Sequence, residues 1–89
     1  MKNITTLFAR DRKFYIIKNE DGLYLSIEDK YVDENGKLNT TLNGITMKAN
    51  KDLEECIKQT KDQVEVDYLV STGMDLIKAI QLVVLGVVA

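Results

Sequence analysis

Histidine, proline and tryptophan are absent from this 89-residue chain, cysteine occurs once and glycine five times. Without histidine there is no imidazole triad, no imidazole metal ligand and no side chain whose ordinary pKa sits near neutrality. A single thiol, Cys56, makes neither an internal disulfide nor a zinc site, and it fits a reducing cytoplasm. The glycines fall outside any phosphate-loop spacing: neither GxGxxG nor GxxxxGK[ST] occurs. A formal charge of −2 lacks the basic stripe that phosphate neutralisation needs, so non-specific nucleic-acid binding is not expected. No apolar stretch reaches the roughly 20 residues of a membrane span. Lys2 is followed by no apolar run of the kind that marks a secretory signal.

What the chain does have is apolar content, 45% of residues, enough for the core of one domain over 1–89. Residues 4–9 alternate in side-chain character, and the Arg10-Asp11-Arg12 turn separates them from the dense run 14–18, which suits a central strand. Asn19-Glu20-Asp21-Gly22 reads as a turn, and Leu23, Leu25 and Ile27 then alternate with polar neighbours. The alternation slips near Asp29, where a bulge is expected. Asn35-Gly36 is a hairpin signal, residues 38–42 form the next strand and 45–48 a short last one.

From Asn50 the pattern becomes helical. Asn50 is the candidate N-cap, with Asp52, Glu54 and Glu55 in the first turn, where the helix dipole favours negative charge. Leu53, Ile57, Thr60, Val64 and Tyr68 recur at helical spacing. Val64, Val66, Tyr68 and Val70 also alternate with period two, so 64–70 reads either as helix or as strand, and the Ser71-to-Asp75 punctuation favours helix. Gly73 and Met74 suit a Schellman ending, and Asp75 can cap a second helix from Leu76. The expected fold is α+β: an antiparallel meander of four to five strands (1–48), then two helices (50–89) packed on one face of the sheet.

The chemistry-bearing groups point to binding. Arg10, Arg12 and Lys13 form the one compact basic group, and Tyr15 and Tyr24 are candidate stacking residues. They suit either an ordinary hairpin turn and core, or a site for a phosphate or an acidic partner. Acidic pairs at 20–21, 28–29, 33–34 and 54–55 are explained by turns and a helix start. Asp29, Asp33 and Asn35 lack the bidentate glutamate of a calcium loop, so no metal or cofactor is expected. Cys56 reads as a small buried hydrophobe. The second helix offers only Lys78 and Gln81 as donors, too few for a DNA-recognition helix.

The tail from 76 onward is apolar almost all round, which a surface helix does not require. It is expected to pack on the sheet, and the surplus assigns Leu76, Ile80, Leu82, Val83, Val84, Leu85 and Val87 to an oligomer interface, a two-fold dimer in the first instance.

The segments LYLSIEDKYVDENGKL, LNGITMKANKDLEECI and VEVDYLVSTGMD, which lie within 23–75, resemble small uncharacterised accessory proteins of Gram-positive phages and mobile elements. The resemblance implies a non-catalytic protein in the bacterial host cytoplasm that binds and inhibits a host defence or nuclease protein. The alternatives are an oligomeric sponge for a nucleotide signal, with Arg10, Arg12, Tyr15 and Tyr24 as its candidate groups, and a structural or assembly subunit docked through its tail.

Overall fold

The computed structural model describes residues 2–32, 34–35 and 50–86. Strands β1 (Lys2–Ala9), β2 (Arg12–Lys18) and β3 (Tyr24–Glu28) form an antiparallel sheet in the order β1-β2-β3, followed by helices α1 (Leu53–Ser71) and α2 (Leu76–Val83). This is the expected α+β class. The expected strands at 38–42 and 45–48 and the Asn35-Gly36 hairpin fall wholly or partly outside the described residues, within which the sheet has three strands.

Local chemistry places the turns. β1 and β2 are joined by the two-residue loop Arg10-Asp11, with Ala9 opposite Arg12. Arg10 has φ 52°, the one positive φ outside glycine among the described residues. The next turn is an Asn19 construction: its Oδ1 accepts from the N–H groups of Asp21 and Leu23, both at 2.9 Å. Gly22, with φ 79°, completes it in the left-handed region that glycine enters without steric cost. The bulge expected near Asp29 is not there. The alternation slips because the strand ends in a 3-10 turn, Asp29–Tyr31, closed by the Val32 N–H on the Asp29 carbonyl. The ladder irregularity lies instead in β1, between Asn3 and Thr5.

β2 is the central strand, and Phe14 and Ile16 are buried on the face it shares with Arg12. Arg12 reaches Asp67 of α1, so this is the helix-covered face. Ile17 and Ile27 lie on the opposite face and are also buried.

The N-cap of α1 is Asp52, not Asn50; its side chain accepts from the Glu54 N–H at 3.1 Å. Asn50 cannot start the helix because its backbone is already bound in both directions to Tyr24, as a bridge on β3. Residues 64–70 are helical, which settles the period-two alternation. Val64 and Val66 lie about 200° apart on a helix, yet both are buried. The alternation therefore marks two covered sides of one helix. α1 packs on all three strands and also against α2.

α1 ends as the sequence predicts. The Met74 N–H donates to Leu69, the Gly73 N–H donates to Val70, and Gly73 has φ 105°. This is the Schellman pair of bonds. Asp75 then caps α2 by accepting from the Lys78 N–H.

The expectation that both helices lie on the sheet needs correction. α2 packs against α1, where Ala79 is wholly buried. The three described strands, spaced about 4.8 Å apart, offer a width of roughly 10 Å between the outer strand axes. One helix, about 10 Å across, covers that width.

Candidate functional site

Most of the candidate residues fall on two surfaces: the basic hairpin and the outer side of α2. The arginines of the hairpin, read from sequence either as an ordinary turn or as a site for a phosphate or an acidic partner, are directed at the chain's own carboxylates. Arg10 Nε and Nη2 each donate to a Glu65 oxygen at 2.9 Å, and the Arg10 guanidinium lies against the Tyr68 ring. Its hydrogen bonds hold the Glu65 carboxyl below its ordinary pKa. Arg12 donates through Nε and Nη2 to Glu28, at 3.1 and 2.7 Å, and through Nη1 to Asp67 at 2.8 Å. The hydrogen bond to Glu28 is the main cause raising the Arg12 pKa above its ordinary value. Glu28 is the less exposed partner, 13% open to solvent, against 46% for Asp67.

The geometry has a simple origin. Arg10 closes the hairpin and Arg12 begins the returning strand. Glu65 and Asp67 are also two residues apart, which on a helix sets them about 200° apart. The two arginines therefore grip α1 from either side, joining positions 55 residues apart in sequence. Single-sequence reasoning finds no signal for this pairing beyond the presence of opposite charges.

Lys13 and Tyr15 occupy the sheet face away from α1. The Lys13 ammonium lies 5.2 Å from the centre of the Tyr15 ring and 5.8 Å from that of Phe8. The Tyr15 hydroxyl donates to Asp29 at 2.6 Å. Tyr24 sits at the other end of the sheet, opposite Lys18, with its backbone tied to Asn50. The five residues singled out from sequence therefore do not converge on one site.

Cys56 is buried on α1, and burial raises its thiol pKa, the opposite of what a reactive thiolate needs. No group of three His, Cys, Asp or Glu residues able to hold a metal occurs among the described residues. No helix among the described residues is long and apolar enough to cross a membrane.

The outer side of α2 is different in kind. Leu76, Ile77, Ile80 and Val84 are exposed, Ile77 to 65%. At about 100° per residue they fall within an arc of roughly 100°, free of charged groups. Lys78 lies outside that arc, as do the exposed Leu82 and Leu85. Val83 is half-buried, and Val87 lies outside the described residues. Of the tail positions expected to form an interface, Leu76, Ile80, Leu82, Val84 and Leu85 are thus uncovered. Ile77, which was not singled out from sequence, belongs with them.

No protein-family model matches the chain, and neither a curated protein nor a solved structure does.

Proposed function

We propose that this chain acts by binding a protein rather than by catalysis, with α2 as the docking helix. The single observation behind this reading is the exposed apolar arc Leu76-Ile77-Ile80-Val84. A helix laying such a face into a partner's groove reads as anchors at i, i+1, i+4 and i+8, close to the common i, i+3, i+4, i+7 pattern. The resemblance of segments within 23–75 to phage accessory proteins suggests the biological setting: an inhibitor, in the host cytoplasm, of a host defence or nuclease protein. Internal pairing of Arg10 and Arg12 weakens the nucleotide-sponge reading, because two of its four candidate groups already have carboxylate partners. An assembly subunit docked through the same helix differs from the inhibitor only in the identity of the partner.

Ile77→Asp and Val84→Asp, each exposed in the free chain, test this by affinity capture from a host lysate. One host protein retained by the native chain and lost by both variants, with circular dichroism unchanged, supports the reading. Equal capture by native chain and variants removes α2 from it. Calorimetry against cyclic and ADP-ribose-type nucleotides tests the sponge, which requires heat of binding.

A further inference from the structure

The eight-residue strand β1 is at the edge of the sheet, and among the described residues nothing pairs with its outer side. Edge strands in soluble proteins are usually blunted by charge, proline, brevity or a bulge. Here the charge, Lys2, and the irregularity between Asn3 and Thr5 both lie at the start of the strand; residues 5–9 carry no charge and no proline, and Thr5, Thr6 and Phe8 are exposed, Phe8 to 67%. The irregularity between Asn3 and Thr5 leaves 5–9 as a regular five-residue segment, Thr-Thr-Leu-Phe-Ala, centred on Leu7.

The register says which backbone groups are free. Ala9 and Arg12 close a two-residue loop and form a hydrogen-bonded pair. Antiparallel ladders alternate hydrogen-bonded and non-hydrogen-bonded pairs. Leu7 and Thr5 therefore point their amides at β2, while Thr6 and Phe8 point theirs outward. A two-fold axis through Leu7 brings Thr6 of one copy opposite Phe8 of the other, twice, and these are the residues with free amides. On the outer face that gives two threonine–aromatic cross-strand pairs, a combination that stabilises sheets. On the helix face it gives Leu7 beside Leu7, flanked by Thr5 beside Ala9. The Leu7 pair lies on the axis and every other contact occurs twice, as a two-fold interface requires.

We infer that β1 pairs with β1 of a second copy, joining the three described strands of each copy into one sheet across a dimer. The axis stands perpendicular to the sheet, so both α1 helices lie on one side of it. This interface is separate from α2, and the dimer presents two docking helices to a partner.

Light scattering across a hundredfold dilution tests the inference on the full chain. Thr6→Pro removes one outward-facing N–H, at a place where an edge strand tolerates proline. Phe8→Glu charges the edge while giving Lys13 a cross-strand partner in the free chain. The native chain is expected to have twice the monomer mass, and both variants the monomer mass with unchanged circular dichroism. If Thr6→Pro fails to fold, Phe8→Glu carries the test alone. A native chain that is monomeric throughout overturns the inference, as does a dimer that survives Phe8→Glu. Ile77→Asp separates the two proposals: it leaves the β1 dimer intact, so a dimer lost in that variant places self-association in α2 instead.

Discussion

The guanidinium carbon of Arg10 lies 3.6 Å from the centre of the Tyr68 ring. This contact clamps the tip of the first hairpin onto the last third of α1. Glu65 completes the clamp with two hydrogen bonds, and it fastens a residue whose own backbone is in the left-handed region. The tip, Arg10-Asp11, is thus held from outside, by a helix that begins only at Leu53.

Glu65 makes part of the stability depend on pH. Its carboxyl is held below the ordinary 4.5 chiefly by the Arg10 hydrogen bonds. A depressed folded-state pKa contributes stability above the unfolded value, and this is lost as pH falls through the folded one. The melting temperature of the native chain should therefore exceed that of Glu65→Gln near pH 7. The gap should narrow below about pH 4.5 and close in stronger acid, as thermal melts at a series of pH values will show.

Arg12 has one partly buried partner and one open one. Arg12→Ala leaves Glu28 without its bidentate donor and should cost about 2 kcal/mol in urea denaturation. Asp67→Asn should cost no more than about 0.5 kcal/mol, since exposed pairs contribute little. A double-mutant cycle should find the larger coupling between Arg12 and Glu28. Equal couplings would contradict the difference in burial.

Ser26 is 1% exposed, and its hydroxyl has no hydrogen-bond partner among the described residues. It sits opposite Ile16 on the face beneath α1. A buried hydroxyl without a partner costs free energy. Ser26→Ala should therefore leave stability unchanged or raise it by up to about 1 kcal/mol. A loss above that size would show that the hydroxyl is bonded in solution.

Gly73→Ala isolates the conformational cost at the end of α1. A methyl group there meets nothing within 4 Å, so crowding plays no part. The φ of 105° does, and the variant should lose about 1 kcal/mol in the same assay.

The features legible in the sequence are those whose chemistry is local. The Asn19–Gly22 turn, the Schellman ending at Gly73 and the Asp75 cap each need only residues within five positions of one another. Asn50 reads as a cap because nothing nearby reveals that Tyr24 has already engaged its backbone. Val66 leaves 64–70 readable as strand as well as helix because a helix covered on two sides loses the one-sided stripe by which helices are recognised. Of the candidate binding groups, the arginines stood out and their partners did not, because pairing across 55 residues leaves no trace in spacing. The apolar tail was plain in the sequence, but its seat against α1 is a tertiary contact that residue spacing does not reveal.

The meander has a kinetic consequence. The β1–β2 and β2–β3 ladders each join strands adjacent in sequence, so each hairpin can zip with little loop-closure entropy to overcome. The arginine clamps must wait for α1 to arrive. Substitutions at Glu65 and Asp67 should accordingly speed unfolding and barely slow refolding, so that both residues report on the final closing of the molecule.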